Sequence, residues 1–208
     1  RSGKQINFIK TPPLTHDIYV DENRTMTFAH SWSNENEPQA YQVDSSGEVT
    51  WQWNAKKFIN SNKFKNAVNR KEPDNFAAAT SAVPIGKDKI AVTLSAWNVI
   101  AIVDKKSNRV VDYITDTRRP HSVVTDKKGV IGYTSRSMSG LRLHGATNSL
   151  VVFEKNQSLF SRSFAGGVKS LDLQHIGNGL WLLPNGPSIK IMDSEGIVYW
   201  QLDIDNYI

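Results

Sequence analysis

The sequence predicts an all-β chain in which one four-stranded unit occurs four times, arranged as the blades of a β-propeller. Three observations predict it. An apolar strand ending in an acidic residue recurs at Asp44, Asp104, Glu154 and Asp193, each time followed by a polar turn and a second β-rich strand. Each of these hairpins is preceded by another hairpin. The recurrence centres on the roughly 40–50 residues of a four-stranded propeller unit, and the unequal intervals fall in loop insertions.

The first unit reads Ile18 to Val20, a turn through Asp21 to Arg24, Met26 to Ala29, then Ala40 to Val43 and Val49 to Trp53 around a Ser-Ser-Gly turn. The second reads Ala82 to Ile85, Ile90 to Leu94, Val99 to Val103 and Val110 to Ile114. The third reads Ser122 to Thr125, Val130 to Thr134, Leu150 to Phe153 and Leu159 to Phe164. The fourth reads Leu171 to His175, Leu180 to Leu183, Ile189 to Met192 and Val198 to Leu202. Gly and Asn in the tight turns accept positive φ cheaply, which makes each pair a hairpin signal. Trp51, Trp53, Tyr113, Phe160, Tyr199 and Trp200 fall on the outermost strands, where some must pack between neighbouring units and others cover the rim. A β-sandwich or barrel uses similar strands, but a repeat of four members favours the propeller.

These units make one domain over residues 1–208, with approximate blades 14–54, 78–115, 120–165 and 169–204 and an insert at 55–77. Four blades either close a small ring or form part of a larger one. The stretch Gln5 to Lys10 is positioned to add a strand to the last blade and latch the ring. The chain begins at Arg1 rather than Met, as expected of a processed product or an excised piece.

The composition is that of a globular chain, 39% hydrophobic and 22% charged, enough to bury a core. No apolar run approaches the roughly 20 residues of a membrane helix. With no cysteine, disulfides, thiolate metal sites and cysteine nucleophiles are excluded. The compartment stays open, with secreted, periplasmic and particle-associated locations all compatible. The net charge of +5 favours acidic partners such as anionic glycans or phosphate and sulfate esters, or it is simply a solvated lysine excess.

In a meander of this kind, the connections between second and third strands, and those between units, share one face. The long connections, Ser31 to Gln39, Asn54 to Ala79, Thr115 to His121 and Ser135 to Asn148, all belong to it. Loops that grow on one side of a rigid scaffold are where binding resides. His16 and His121 take matching places at the start of an innermost strand, with Ser81 and Asp172 at the same count in the other two units. Innermost strands line a propeller's channel, so these four define its mouth. His30, Trp32, Trp97, Arg118, Arg119, Arg136, Arg142 and His144 map to the same face, whereas His175 lies near a short turn. Arginine offers a planar donor fork to anions, histidine adds acid–base capacity, and Trp32 and Trp97 offer faces for a sugar ring. Alternatively, His16 and His121 bond neighbouring strands and hold blades together. The insert carries Lys56, Lys57, Lys63, Lys65, Arg70 and Lys71, with Phe58, Ile59, Phe64 and Val68 at the spacing of a short amphipathic helix. It serves as a lid, as a patch for an anionic partner, or as a solvated helix packed on the rim.

Two stretches of the second unit, Ala82-Val-Pro-Ile-Gly-Lys-Asp-Lys-Ile-Ala-Val-Thr-Leu-Ser and Asn98-Val-Ile-Ala-Ile-Val-Asp-Lys-Lys, resemble blades of bacterial arylsulfotransferase-like propellers. So do Gly47-Glu-Val-Thr-Trp-Gln-Trp and Gln174-His-Ile-Gly-Asn-Gly-Leu-Trp-Leu-Leu-Pro-Asn-Gly. More broadly, the acidic turn with Gly-x-Val-x-Trp resembles quinoprotein-type repeats. The resemblance implies a propeller and, at its most specific, sulfate transfer through a histidine, with His175, His121 and Arg119 as the matching candidates. Asp74-Asn75-Phe76 stands where that family pattern places a histidine.

There is no P-loop, no Rossmann glycine pattern, no helical His-x-x-x-His and no nucleophile elbow, so neither a cofactor nor a metal is expected. No recognised nucleic-acid module is present, which argues against that partner. The reading that unites these signals is a non-catalytic propeller binding an anionic or carbohydrate-like ligand, or a protein partner, through the long-loop face. A histidine-dependent, arylsulfotransferase-like transferase and a structural module of a larger assembly are the alternatives.

Overall fold

A computed structural model describes residues 9–59, 76–115, 117, 119–125, 131–137, 147–154, 157–164, 173–185, 188–193 and 197–203. Among them, sixteen strands form four antiparallel four-stranded sheets, each a simple meander. The first sheet holds β1 (Thr15–Val20), β2 (Met26–Ala29), β3 (Ala40–Val43) and β4 (Val49–Trp53). The second holds β5 (Ala79–Ile85), β6 (Lys89–Leu94), β7 (Val99–Asp104) and β8 (Arg109–Ile114). The third holds β9 (Pro120–Thr125), β10 (Ile131–Ser137), β11 (Thr147–Glu154) and β12 (Gln157–Phe164). The fourth holds β13 (Gln174–Gly177), β14 (Leu180–Asn185), β15 (Ser188–Asp193) and β16 (Val198–Asp203).

The recurring acidic residue has a local cause. Asp44 Oδ1 accepts hydrogen bonds from the backbone N–H groups of Ser46 (2.8 Å) and Glu48 (3.0 Å) and from the Ser46 hydroxyl (2.6 Å). Asp104 Oδ1 does the same for Ser107 N–H (2.7 Å) and Oγ (2.6 Å), and Asp193 Oδ1 for Ile197 N–H (2.9 Å). A carboxylate there stands in for backbone acceptors and fixes the turn between the third and fourth strands. The Ser46 and Ser107 hydroxyls, followed by the backbone donors, hold the Asp44 and Asp104 carboxyls below the usual carboxylate range.

Alternation along each strand puts successive residues on opposite faces, and the faces close three seams between consecutive sheets. Ala29, Ala40, Trp51 and Trp53 of the first sheet pack with Ile90, Val92, Leu94 and Val99 of the second. Ala91, Ile100 and Ile102, on the other face of the second sheet, meet Val123, Ile131 and Tyr133 of the third. Val124 of the third sheet meets Trp181, Leu183 and Met192 of the fourth. Gly132 makes this last contact possible, because a Cβ there would lie 2.5 Å from the Trp181 ring. A fully buried Trp such as Trp53 or Trp181 removes roughly 200 Å² of apolar surface from water, on the order of 5 kcal/mol. The first strands of consecutive sheets touch, β1 with β5, β5 with β9 and β9 with β13. They are the innermost strands and define the axis.

Two expectations change. The first strand of the fourth unit runs Gln174–Gly177 instead of Leu171 to His175, because Gly177 pairs with Leu180 across a two-residue turn. Asn178 (φ 53°) and Gly179 (φ 72°) are both left-handed there, as a tight hairpin requires; positions 171 and 172 lie outside the described residues. In the insert, a helix forms at Lys56–Ile59, started by Asn54 Oδ1 accepting the Lys56 N–H at 2.7 Å. Phe58 is buried in the first seam, whereas Phe64 and Val68 lie outside the described residues. Of the N-terminal stretch, Ile9 and Lys10 lie beside the Gly47 turn of the first sheet. Gly47 (φ 91°) turns so tightly against them that a Cβ would lie 2.8 Å from the Lys10 carbonyl, and residues 5–8 are outside the described set. On the outer strands, Trp51 and Trp53 are buried between sheets while Tyr113, Tyr199 and Trp200 are exposed; the Phe160 side chain is outside the described set.

Candidate functional site

The innermost strands enclose a cavity of about 530 Å³. Its walls come from all four sheets: residues 16–20 of β1, 81–83 of β5, 122–125 of β9, and Leu173, Gln174 and His175 in and beside β13. This is the axial channel.

Register fixes which residues share a level. Ile18 pairs with Phe28, Ala82 with Val92 and Val123 with Tyr133, so these three inner residues correspond. Counting back in sequence, through the bulge that each strand carries there, His16, Thr80 and His121 correspond, as do Asp17, Ser81 and Ser122. Counting residues from the turns puts Ser81, not Thr80, beside the histidines. The error is one residue, because the second hairpin makes an additional pair, Ile85 with Lys89. Asp172 lies outside the described residues.

His16 and His121 meet directly. Their ring centroids are 4.5 Å apart at an interplanar angle of 76°, an edge-to-face contact between the first and third sheets. Ser122 Oγ donates to Asp17 Oδ2 at 3.0 Å, a second bridge between the same two sheets. Thr80 Oγ1 donates to the His121 carbonyl at 2.7 Å, and the Ser81 N–H donates to the buried Thr93 Oγ1 at 2.8 Å. Main-chain strain accompanies this ring of polar groups. His16 (φ 62°) and Arg119 (φ 50°) occupy the left-handed region where the inner strands of the first and third sheets begin, as Ala78 (φ 46°) does for the second. Such positions are rare outside glycine and cluster at sites where backbone geometry is held for a purpose.

Of the remaining sequence candidates whose side chains are described, His175 lines the cavity and His30, Trp32, Trp97 and Arg119 do not. His30 ends β2 at the long-loop end, donates its N–H to Gln39 O at 2.9 Å and is 8% exposed. Its Nδ1 has no partner among the described residues. Burial lowers its pKa, with nearby Glu37 acting in the opposite direction. Trp32 is 68% exposed in the loop that follows. Trp97 does not offer a face to a ligand. It is 3% exposed in the 3-10 turn Ser95–Trp97, with Phe76 set edge-on against it at 5.1 Å. Arg119 is half-buried, its N–H donating to Asn98 Oδ1 at 2.8 Å. Arg118, Arg142, His144 and the Arg136 side chain are outside the described set. His175 pairs with Trp181 beside the Asn178-Gly179 turn, its ring 4.8 Å from the indole. It corresponds in level to Val20, so it lines the same channel at the opposite end from His16 and His121, roughly 13 Å along the strand. Sequence reasoning missed Asp17 and Ser122, whose pairing bridges separate sheets and leaves no local signal.

No helix among the described residues is long and apolar enough to cross a membrane, and no cluster of metal-binding side chains occurs among them.

No family model matches the chain, and no curated protein does. Solved structures do. A streptogramin B lyase aligns at a TM-score of 0.60 with 10% identity, covering 91% of this chain and 54% of its own. Virginiamycin B lyase from Staphylococcus aureus aligns at 0.58 with 14% identity, covering 93% and 57%. A protein of unknown function from Bacteroides caccae aligns at 0.56 with 14% identity, covering 91% and 66%. The chain thus spans about half to two thirds of the length of these structures. At such identities the likeness establishes the fold, a β-propeller, and does not single out the arylsulfotransferase family that the blade sequences resemble.

Proposed function

We propose that this chain is a non-catalytic binding module that takes a carbohydrate-like ligand at the long-loop mouth of its channel. The observation that carries the reading is the His16–His121 contact above the Asp17–Ser122 hydrogen bond, at the entrance of a cavity of about 530 Å³. That volume lies within the roughly 300–1,000 Å³ of small-molecule sites. Imidazole, hydroxyl, carboxylate and amide groups supply both donors and acceptors, as a polyhydroxylated ligand requires. Trp32, exposed on the same end, supplies an apolar face for a sugar ring.

The described lining favours one of the two ligand classes expected from sequence. Among the described lining residues, Asp17 is the formally charged side chain, apart from the titratable histidines. A carboxylate repels an anion, and Arg119 is not among the described residues that line the cavity. A neutral polyol fits this lining better than a sulfate or phosphate ester. The separation of His121 from His175 gives a two-histidine transfer mechanism no common centre.

Calorimetric titration with neutral oligosaccharides and their sulfated counterparts tests the reading. Neutral forms should bind, and His16→Asn and Trp32→Ala should each weaken binding at least tenfold; asparagine is chosen because it tolerates the left-handed backbone at that position. Preference for sulfated forms that survives His16→Asn, or no binding by either series, would contradict it.

A further inference from the structure

The fourth sheet repeats the first, but its surroundings do not. The outer strand of the first sheet arises from Gly47-Glu-Val-Thr-Trp-Gln-Trp and that of the fourth from Gly196-Ile-Val-Tyr-Trp-Gln-Leu. Both follow the acidic turn and carry the same bulge: Gln42 pairs with Trp51 and Val43 with Val49, as Ile191 pairs with Trp200 and Met192 with Val198. Ala40 pairs with Trp53 as Ile189 pairs with Leu202. Trp200 and Leu202 therefore occupy the places of Trp51 and Trp53. Under the second sheet, Trp51 and Trp53 are 9% and 1% exposed; Trp200 and Leu202 are 46% and 42% exposed. Behind them, Leu182, Ile189 and Ile191 are only half-buried. Every side chain at these paired positions is apolar.

We propose that this face is an inter-sheet seam whose occupant is a further four-stranded sheet of the same repeat, the four sheets being an arc of a larger ring. Continuity with the seams inside the chain identifies the occupant. In the first seam, the same strand motif in the same register is covered by the apolar face of the next sheet. The solved propellers have the length for more sheets, since this chain spans 54%, 57% and 66% of the three described above. A second copy adding head to tail is the competing occupant. It would join through the face of its first sheet that carries Phe28, Tyr41 and Val43, and the oligomeric state in solution separates it from a further sheet. The inference is independent of the ligand reading, although a further sheet would extend the channel wall beside β13.

Two measurements test it. The 208-residue chain, sedimented over a hundredfold range of concentration, should remain monomeric with Trp200 accessible to iodide; a dimer in which Trp200 is shielded would assign the face to a second copy and overturn the proposal. In the second, a duplicate of residues 76–115, and separately of 173–203, is appended after residue 208. At least one extension should shield Trp200 and slow amide exchange in β15 and β16 at least tenfold, and Trp200→Ala with Leu202→Ala should abolish that protection while Trp53 stays buried. If neither extension shields Trp200, the proposal is wrong.

Discussion

The first and fourth sheets end in the same strand motif and differ in what lies over it. Trp53 is 1% exposed between two sheets, whereas Leu202, at the same register position, is 42% exposed. The local fold is therefore specified within each unit, by the Asx turn and the alternation of the strands. The energy of the motif comes only from the neighbour that covers it. A propeller sheet is half of an interface, and its outer strand can be correctly formed while contributing little to stability.

The sharpest way to break this comparison is to truncate both positions. Trp53→Ala should cost about 3–5 kcal/mol in urea unfolding, as a large buried side chain does, and Leu202→Ala no more than about 1 kcal/mol. Equal losses would mean that the two strands are equally covered. Next in size is Gly132→Ala at the third seam, where the added Cβ would meet the Trp181 ring at 2.5 Å. Overpacking of this kind costs about 1–3 kcal/mol, and combining it with Trp181→Phe should recover part of the loss in a double-mutant cycle. Thr93→Val sharpens the contrast from the polar side. It keeps the shape of a fully buried residue and removes the acceptor of the Ser81 N–H, for a loss of about 1–3 kcal/mol.

The smallest effect is expected from pH, and it belongs to the first two sheets. Burial lowers the His30 pKa in the folded chain, so the unfolded chain takes up the proton first as pH falls below roughly 6.5. Stability should decline from there downward, and His30→Asn should flatten that part of the profile. The Asp44 and Asp104 carboxyls are also depressed, by the Ser46 and Ser107 hydroxyls first. Their contribution is present above the ordinary carboxylate range and is lost as pH falls through their folded values. Urea unfolding at stepped pH separates the two windows, and NMR titration of the carboxyls should place both aspartates below a free carboxylate.

Strand order and most strand limits were legible in the sequence, because period-two alternation and Asx and glycine turns are written in adjacent residues. The matching of His16 with His121 was legible for the same reason, since both are counted from a local turn. Trp97 was misread because exposure at a loop depends on what packs there; the 3-10 turn sets it against Phe76, about twenty residues earlier in the chain, and nothing in its own strand signals that contact. Leu171 to His175 failed as a strand limit because the Asn-Gly turn was taken one residue too early. Asp17 with Ser122 was invisible, since a hydrogen bond between separate sheets has no signature in spacing. The arginines were grouped on charge and face alone, and of Arg118, Arg119, Arg136 and Arg142 only the Arg119 side chain is among the described residues.

The most direct test of the site is to follow the His16 and His121 ring protons by NMR while titrating the neutral oligosaccharide that binds best. Both rings should shift together, saturating with the same affinity as the Trp32 indole and leaving Trp97 unmoved. Shifts confined to His175, or a saturable change that bypasses His16 and His121, would contradict a ligand site at the long-loop mouth.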